Sequence, residues 1–473
     1  MAVDPQYRAV GWVLPGPGVT PRLLPVVRAS TGLSTWAMRP AAGVSVQEES
    51  GDGARVRIYR PPVVAAPAAM LWMHGGGLVL GRPEMDDLRV SGYAAALGIT
   101  VVSVRYRLAP EHPFPAALED CEAAWRWLQS NAARLGLDPG RVVVGGNSGG
   151  AGLAAALVQR LHDAGGRQPA GQLLVYPMLD DRTGADPEQD SVRHLVWTAL
   201  SNRTGWSSYL GGPPGGDEVP AYAVPARRSD LSGLPPAWIG VGSADLFVDE
   251  CRSYAARLQE AGVPTDLVVV DGAPHAFDAV AAARPSQDFL ASQLEFLSER
   301  LDLPPDLPIA GVSPPGWIET APIRVEQSVE VAAPPSAVWP WIADHAGWPR
   351  WFAGASRVVV TGRGAGVGGR RRVRAGPLSF DEVFTAWEPG RCFAFAVTSS
   401  TLPILARMAE SVGLEPTATG TRVTYRVGMQ ARRGFDRPLR LVAERLSRTL
   451  RTSLDQLKDQ VEETPGSLLS YRF

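Results

Sequence analysis

The segment Gly146-Asn147-Ser148-Gly149-Gly150 constrains the fold of this chain more than any other. An apolar run at 141–144 precedes it and predicts a β-strand, and an Ala- and Leu-rich stretch at 149–162 predicts a helix after it. Glycines two positions before and after Ser148 allow a tight strand-to-helix turn that lifts the hydroxyl clear of the backbone. The helix start directs its N–H groups towards developing negative charge. The segment predicts a nucleophilic serine, with a purely structural glycine-rich turn as the alternative.

Around this turn, from about residue 55 to residue 301, short apolar runs alternate with amphipathic stretches. Such alternation is typical of parallel strands joined by crossover helices, so we predict a doubly wound α/β fold with a mostly parallel sheet. Further helices are predicted from Pro115 and over 248–260. The predicted strands are 69–73, 99–105, 141–144, 172–176, 237–241 and 266–270.

Two stretches of this first domain, 1–50 and 181–232, do not follow the alternation. The second of them is rich in glycine, proline and aromatic residues. Insertions beyond the carboxyl ends of strands lie where α/β sheets bind ligands. We therefore predict that both stretches form a cap over the site.

A second glycine-rich segment, His74-Gly75-Gly76-Gly77, directly follows the predicted strand 69–73. Consecutive glycines leave backbone N–H groups unshielded, and acyl transfer needs such donors for its oxyanion. The N–H group of Gly149, next to the serine, would supply one more donor. The alternative is a tight loop with a structural His74.

A general base and an acid complete the predicted chemistry. His275 follows the predicted strand 266–270, and Asp245 follows the predicted strand 237–241, so both lie in loops at carboxyl ends of strands. Asp249 and Glu250 are competing acids, but they fall on a predicted helix, where they are better placed as N-terminal capping charges. Four other histidines lie among prolines, on a helix, in the predicted cap and in the second domain, namely His112, His162, His194 and His345.

The chain order Ser148, Asp245, His275 is the order of α/β-hydrolases, and residues 60–300 resemble the hormone-sensitive-lipase-like branch of that superfamily. The matching segments are His74-Gly75-Gly76-Gly77, Tyr106-Arg107-Leu108-Ala109-Pro110-Glu111, the Ser148 turn, Asp245-Leu246-Phe247-Val248-Asp249-Glu250 and His275-Ala276-Phe277. Three positions depart from the family pattern. Asn147 stands where the family usually has an acid, Gly149 where it has alanine, and Ala276 where it has glycine.

The resemblance implies a serine hydrolase that cleaves carboxylic esters of short to medium acyl chain through an acyl-enzyme. His275 would take the proton of Ser148, and Asp245 would orient His275. The oxyanion would rest on the N–H groups of Gly76, Gly77 and Gly149. Amide or lactone hydrolysis by the same triad is the alternative. The supporting residues of the two glycine-rich motifs are His74, Gly75, Gly146 and Gly150.

The character of the sequence changes after residue 302. Residues 303–321 contain too many prolines for a helix or a central strand, so we predict a linker between a first domain at 1–302 and a second at 322–463, followed by a tail at 464–473. Leucines at helical spacing predict one long amphipathic helix from Pro438 to about residue 463. With a predicted helix at 335–343, the second domain is α+β. Its predicted strands are 324–331, 358–360, 371–374, 380–387, 393–397 and 421–427.

Residues 322–463 resemble the polyketide cyclase/dehydrase branch of the helix-grip (START-like) superfamily. The resemblance rests on Val331-Ala332-Ala333-Pro334-Pro335-Ser336-Ala337-Val338-Trp339 together with Ile342-Ala343-Asp344, Trp348-Pro349 and Trp351-Phe352. It implies a sheet wrapped around a long helix, an apolar cavity and a hydrophobic ligand. The family has no shared catalytic residues to transfer. Two alternatives stay open: the domain carries a cyclase or lipid-binding role itself, or its aromatic residues are simply core.

Gly364-Ala365-Gly366-Val367-Gly368-Gly369 has the spacing of a dinucleotide-binding loop. Such a loop must open a helix, whereas the following Arg370-Arg371-Arg372-Val373-Arg374 indicates an exposed strand. We therefore expect no nucleotide here and interpret the arginines as the solvated face of a strand, with an anion-binding patch as the alternative.

Composition excludes several other functions. A formal net charge of -2 gives no bulk attraction to nucleic acid, and no run approaches the roughly 18 apolar residues that span a bilayer. The widely spaced Cys121, Cys251 and Cys392 suggest neither disulfides nor a metal site, so we expect a cytoplasmic enzyme with no cofactor and no metal. The expected partner is a small-molecule ester, and the sequence leaves the oligomeric state open.

Overall fold

The structure is a computed structural model, and it describes residues 3–4, 7, 18–34, 38–41, 43–62, 64–192, 194–281, 283–303, 315–360 and 366–463. The chain divides into two compact units, Met1–Pro304 and Pro305–Phe473. Residues 304–314, which make up most of the predicted linker, and the predicted tail at 464–473 lie outside the described residues.

The first unit is built on a mostly parallel sheet. Its strands are β1 (Ser45–Gly51), β2 (Ala54–Arg60), β3 (Ala69–Met73), β4 (Thr100–Val104), β5 (Val142–Asn147), β6 (Gly171–Val175), β7 (Ala237–Gly242) and β8 (Thr265–Val270). Within the described residues they form eight strands in the order β1-β2-β4-β3-β5-β6-β7-β8. β2 pairs antiparallel with both β1 and β4, and the remaining pairs are parallel. The predicted α/β-hydrolase architecture is confirmed.

Helices cover this sheet. They are α1 (Leu24–Ser34), α2 (Asp87–Leu97), α3 (Ala116–Leu135), α4 (Gly149–Asp163), α5 (Arg182–Ala185), α6 (Ala199–Leu210), α7 (Val248–Glu260) and α8 (Arg284–Arg300). Short 3-10 turns lie at Pro83–Asp86, Pro187–Ser191, Pro225–Arg227 and Phe277–Ala279. Strands β3, β4 and β7 are buried along their whole length, because helices on both faces of a parallel sheet exclude water from it.

The six predicted strands of this unit are all present, and their ends differ from the prediction by no more than three residues. The hairpin of β1 and β2 was not among them. Residues 45–50, predicted above as part of the cap, lie in β1 at the edge of the sheet. The charged outward residues of this edge strand hide the apolar pattern that identifies the buried strands.

The second unit contains an antiparallel sheet. Its strands are β9 (Ile323–Val331), β10 (Arg357–Val360), β11 (Arg370–Ala375), β12 (Leu378–Glu388), β13 (Cys392–Ser400), β14 (Leu405–Thr417) and β15 (Gly420–Ala431). In the described residues the strand order is β10-β11-β12-β13-β14-β15-β9. Two helices, α9 (Pro335–Ala343) and α10 (Asp436–Glu463), and 3-10 turns at Pro315–Thr320 and His345–Arg350 complete it.

The long helix α10 packs on β9 and β15 and encloses an aromatic-rich core between helix and sheet. Leu439, Leu450, Leu454 and Leu457 on its buried face contribute to this core. The arrangement agrees with the predicted helix-grip fold. Strand β14 was not predicted, because the inward-facing Glu410 breaks the alternation of apolar and polar residues that identifies a strand.

The interpretation of the arginine run as a solvated strand face is wrong for Arg371. Its side chain is fully buried and is bonded to Glu382, the residue directly opposite it on β12. The neighbouring Arg372 is about one-third exposed, as expected for the solvent side. The loop before this run leads into β11 and not into a helix, although residues 361–365 lie outside the description.

Candidate active site

Ser148 lies at the turn between β5 and α4. Its backbone has φ 54° and ψ −124°, and its N–H group donates to the carbonyl oxygen of Val175 at 2.9 Å. A Cβ atom on Gly150 would lie 2.2 Å from the carbonyl oxygens of Met73 and His74, so only glycine lets the helix start this close to β3. A Cβ on Gly146 would lie 2.6 Å from the carbonyl group of Gly150, so this position also requires glycine. The two glycines therefore hold the serine in its strained turn.

The predicted base and acid lie beside this serine. His275 Nε2 is 3.0 Å from Ser148 Oγ, and His275 Nδ1 is 2.7 Å from Asp245 Oδ2. All three residues are buried, and Asp245 also accepts a hydrogen bond from the N–H group of Phe247 at 3.1 Å. Asp245 follows β7 and His275 follows β8, so the parallel sheet brings both loops to the edge where β5 ends.

Ala276, which stands where the family has glycine, adopts a left-handed conformation with φ 56°. Alanine tolerates this conformation at a cost of roughly 1 kcal/mol relative to glycine. The strained residue directly follows His275, the predicted base.

The loop after β3 lies against the start of α4. Gly76 and Gly77 both have positive φ, at 122° and 57°. A Cβ on Gly149 would lie 3.0 Å from the nitrogen of Leu78 and 3.1 Å from that of Gly77, so the three predicted oxyanion donors are neighbours. Among the described residues, the N–H groups of Gly76, Gly77 and Gly149 have no hydrogen-bond acceptor. They are available to a ligand oxygen.

His74 is packed inside the first unit, next to the glycine loop. Its ring stacks on Tyr106 with centroids 4.2 Å apart, and the Tyr106 hydroxyl donates to the His74 carbonyl oxygen at 2.7 Å. Burial lowers the pKa of His74 to about 4. The imidazole is therefore neutral at pH 7, and it packs next to the glycine loop.

Both predicted cap segments contact the glycine loop. Arg28 on α1 donates to the carbonyl oxygens of Val79 and Ala109, at 2.8 and 2.7 Å, and forms an ion pair with Glu111. Trp197, which precedes α6, covers Gly77 so closely that a Cβ there would lie 2.1 Å from the indole. The two segments thus lie over the loop that carries the predicted oxyanion donors.

Glu250 is not the exposed capping charge that its helix position predicts. It is buried, accepts a hydrogen bond from the N–H group of Leu179 at 2.7 Å, and binds the Thr183 hydroxyl. Burial raises the pKa of Glu250 well above its ordinary value. Its carboxyl group therefore ties α7 to the segment that enters the cap.

Sequence reasoning missed two further neighbours of the site. The Tyr176 ring meets the His275 ring edge-on with centroids 4.8 Å apart. His194, in the predicted cap, is half-buried and lies close enough to Asp245 and His275 for their charges to affect its pKa. Burial is the main cause of the lowered pKa of His194. Tyr176 lies directly after β6 at the carboxyl edge, which is the one signal that could have identified it.

The interior of the second unit contains a charged cluster. Arg371 Nε donates to Glu382 at 2.6 Å, its Nη1 is 3.0 Å from His345 Nδ1, and Tyr425 donates to Glu410 at 2.5 Å. All five side chains are buried, and we call them the interior cluster. Burial, reinforced by the Glu382 charge, raises the pKa of Glu410 to about 8, whereas Tyr425 and Arg371 oppose this rise.

Aromatic rings surround the interior cluster. The guanidinium carbon of Arg371 lies 3.8 Å from the ring centroid of Trp348, 4.4 Å from that of Phe395 and 5.1 Å from that of Phe393. These distances are typical of cation–π contacts, which partly replace the lost hydration of the cation. Arg371 Nη2 has no hydrogen-bond partner among the described residues.

A cleft of about 240 Å³ opens where β13 and β14 separate. Their pairing ends at Ala396 and Ala409, and the cleft is lined by Val397, Thr398, Ser400, Leu405, Ala406, Arg407, Met408 and Arg432. Met408 precedes Glu410 by two residues on β14, and Val397 follows Phe395 by two on β13, so they share the inner face of the sheet. Part of the cleft lining therefore lies on the sheet face that also carries the interior cluster.

Two negative findings apply to the part of the chain that the structure describes. It contains no group of three or more side chains arranged to bind a metal ion. Within it, too, every helix is too short or too polar to cross a membrane.

Comparison with known proteins identifies both units. Residues 70–279 match a family described as having the alpha/beta hydrolase fold, and residues 322–462 match a family described as polyketide cyclase / dehydrase and lipid transport. Esterase LipI of Mycobacterium tuberculosis is 36% identical over 235 residues, which are 49% of this chain and 72% of that protein.

Two other relatives agree. Ethyl acetate hydrolase of Pseudomonas putida is 33% identical over 240 residues, covering 50% of this chain and 74% of that protein. The crystal structure of an esterase from the bacterial hormone-sensitive lipase family aligns with 64% of this chain and 100% of its own, at 29% identity and a TM-score of 0.56. The chain thus belongs to the hormone-sensitive-lipase-like esterases of the α/β-hydrolase family and is a carboxylic ester hydrolase, with a polyketide cyclase/dehydrase-type domain after the esterase domain.

Proposed function

We propose that the first unit hydrolyses carboxylic esters through a catalytic triad of Ser148, His275 and Asp245. The observation that carries this proposal is the pair of hydrogen bonds that joins the three side chains, at 3.0 and 2.7 Å, in a buried site. A nucleophile, a base and a group that orients the base are the parts that acyl transfer requires.

In this mechanism Asp245 accepts the Nδ1 hydrogen of His275, which leaves Nε2 free to accept the proton of Ser148. Ser148 Oγ attacks the ester carbonyl carbon, and the carbonyl oxygen receives hydrogen bonds from the N–H groups of Gly76, Gly77 and Gly149. His275 then donates its proton to the leaving alcohol. Water, deprotonated by the same imidazole, hydrolyses the acyl-enzyme.

The size of the acyl group follows from the cap. We propose that the described residues within 18–44 and 181–232 contribute to it, and that the indole of Trp197 over Gly77 restricts the space beside the oxyanion loop. Short acyl chains fit this restriction better than long ones. The 33% identity to an ethyl acetate hydrolase supports the same substrate class.

The proposal is tested with p-nitrophenyl acetate, butyrate and palmitate. We expect fast release of p-nitrophenol from the first two esters, slow release from palmitate, and loss of at least about four orders of magnitude in kcat/KM for Ser148→Ala. Ser103→Ala is the matched control, because Ser103 is also fully buried in this sheet but lies in β4, away from the site. Activity that survives in Ser148→Ala contradicts the proposal. Profiling with p-nitroanilides and lactones separates ester from amide or lactone hydrolysis.

We further propose that the second unit binds an apolar molecule. Met408 and Leu405 line the cleft at the separation of β13 and β14 and also belong to the aromatic-rich core, and the interior cluster offers Arg371 Nη2 as a hydrogen-bond donor to a polar atom of the ligand. Full-length Ser148→Ala protein, which cannot consume an ester ligand, would be titrated with the fluorescent probe ANS. We expect saturable binding that Met408→Trp abolishes by filling the cleft, and unchanged binding by Met408→Trp would contradict the site.

A further inference from the structure

Three side chains form a closed hydrogen-bonded ring beside His275. Arg89 Nη1 donates to Asp278 Oδ2 at 2.5 Å, Arg89 Nη2 donates to Tyr176 Oη at 2.8 Å, and the Tyr176 hydroxyl donates to Asp278 Oδ1 at 3.1 Å. We call these three residues the tyrosine tether. They come from α2, from the residue after β6, and from the loop three positions beyond His275. The tether therefore joins separate parts of the unit at one point.

The tether touches the imidazole through the ring of Tyr176. That ring meets His275 at an interplanar angle of 64° with centroids 4.8 Å apart, and Phe247 makes a second edge-on contact at 5.2 Å. Edge-to-face contacts of this kind favour a particular ring orientation. Phe247 has no polar atom to fix it, whereas two hydrogen bonds fix Tyr176. Tyr176 is thus the contact that can set the plane of the imidazole.

The backbone of Tyr176 shows that its position is imposed. Its φ is 37°, in the left-handed region that a bulky residue seldom adopts. Its N–H group donates to the carbonyl oxygen of Gly240 at 2.6 Å, and its side chain is buried. Strain of this kind persists only where surrounding contacts over-determine the conformation, and it concentrates at functional sites.

The same network reaches the nucleophile turn. Asp86, on the turn before α2, accepts a hydrogen bond from Trp72 at 2.8 Å and a longer one from the Asn147 side chain at 3.4 Å. Arg89 Nε lies 4.0 Å from the same carboxylate. Asn147 is the residue directly before Ser148. If residue 147 were an acid, its carboxylate would lie about as close to the Asp86 carboxylate as the Asn147 amide does, and the two like charges would repel each other. The amide of Asn147 can instead donate a hydrogen bond to Asp86.

We propose that Tyr176 is a positioning residue for His275, held in place by Arg89 and Asp278, and that Asn147 and Asp86 connect the same network to the nucleophile turn. The inference rests on the proposed role of His275 as general base. It adds a physical reason for three polar residues, of which Tyr176 is buried and Arg89 and Asp278 are partly buried, that take no part in the hydrolysis itself. Arg89 and Asp278 neutralise each other, so the tether orients the imidazole without placing a net charge beside it.

Tyr176→Phe tests the tether with the smallest change, since the ring stays and both hydrogen bonds of the hydroxyl are lost. We expect kcat on p-nitrophenyl butyrate to fall about 10-fold while KM changes less than about twofold, because orientation of the base is needed in the transition state and not for binding. Tyr254→Phe is the matched control. Tyr254 is equally buried, and its hydroxyl is bonded to Gln159 and not to the tether. Its kcat should equal that of the wild type.

Asp278→Asn supplies a readout that a purely structural role would not give. The amide keeps an acceptor oxygen but removes the negative charge, so the Arg89 cation is less compensated near His275. The acid limb of the kcat/KM profile should move to lower pH, by up to about one unit, because a neighbouring cation disfavours the protonated base. Tyr176→Phe should leave that limb in place, because it changes no charge.

The outcomes separate this inference from the proposed triad. An unchanged kcat in Tyr176→Phe, an equal loss in Tyr254→Phe, or an unmoved acid limb in folded Asp278→Asn would overturn the tether while Ser148→Ala remains inactive. Activity in Ser148→Ala would instead overturn the triad. Thermal unfolding of each variant separates lost orientation from lost folding.

Discussion

The two units both bury titratable side chains, but they do so at different places in their sheets. In the first unit, Asp245 and His275 lie in loops beyond the carboxyl ends of parallel strands. In the second, Arg371, Glu382 and Glu410 lie within antiparallel strands and face the core. Groups at the sheet edge can meet an ester substrate, whereas the charges within strands also hold together the core of the second unit. Changes in the first group should therefore alter rate, and changes in the second should alter stability.

The largest expected effect is on catalysis. His275→Gln removes the proposed base, so kcat/KM should fall by about four orders of magnitude on p-nitrophenyl butyrate. In His275→Gln, the urea concentration at which the first unit unfolds should shift only slightly. The shift should be much smaller than the one expected for the second unit in the Arg371→Met variant, which is described next. If His275→Gln kept more than about one-hundredth of the wild-type kcat/KM, the proposed difference between the two units would be contradicted.

Arg371→Met should have the opposite signature. It leaves Glu382 buried without its ion partner, which costs about 3–5 kcal/mol of unfolding free energy. Arg372→Met is the matched control, since the adjacent Arg372–Asp381 pair is partly exposed and contributes about 1 kcal/mol or less. Urea titration followed by tryptophan fluorescence checks both variants. Equal destabilisation by the two changes would contradict the account, and ester hydrolysis by folded Arg371→Met should match the wild type.

Glu410 predicts how stability depends on pH. Its pKa is about 8 in the folded protein and near 4.5 in the unfolded chain, so the folded state binds the proton more tightly. The stabilisation is complete below about pH 4.5 and is lost as pH rises towards 8, at up to about 1.4 kcal/mol per pH unit. Glu410→Gln should reduce this slope. The variant keeps the other four residues of the interior cluster, Arg371, Glu382, His345 and Tyr425. An identical dependence of stability on pH would therefore mean that one of these groups, and not Glu410, causes it.

The smallest expected effect is that of Gly149→Ala, at the first of the two glycines after the nucleophile. Gly149→Ala adds a Cβ 3.0 Å from the nitrogen of Leu78, which a shift of a few tenths of an ångström relieves, so kcat/KM should change less than about fivefold. Gly150→Ala would place its Cβ 2.2 Å from two carbonyl oxygens, and it should lower activity far more. Similar losses of activity in both variants would show that the loop at Leu78 cannot shift to admit the Cβ atom added at position 149.

The same contrast explains what could be predicted from the sequence. Ser148, Asp245 and His275 each follow a predicted strand, and parallel strands bring their carboxyl ends to one edge, so chain order alone predicted that these residues meet. The α/β-hydrolase and helix-grip folds were predicted correctly from the alternation of apolar and amphipathic stretches, from the segments that resemble the two families, and from the amphipathic pattern of α10.

The missed features depend on register or on distant partners. Whether Arg371 faces the core or the solvent is decided by its pairing with β12, which has an irregularity next to Glu382. A one-residue shift would reverse its direction, and no local pattern contains that information. Arg89, Tyr176 and Asp278 meet from segments about 90 to 190 residues apart, so no spacing along the chain marks the tether.

The central claim is that Ser148 carries the acyl group during ester hydrolysis. It is tested most directly by treating the full chain with a fluorophosphonate and locating the adduct by peptide mass spectrometry. We predict one adduct, on the peptide that contains Ser148, formed at a rate that Tyr176→Phe reduces and His275→Gln abolishes. An adduct on a different residue, or full esterase activity in protein that is completely labelled at Ser148, would contradict the account.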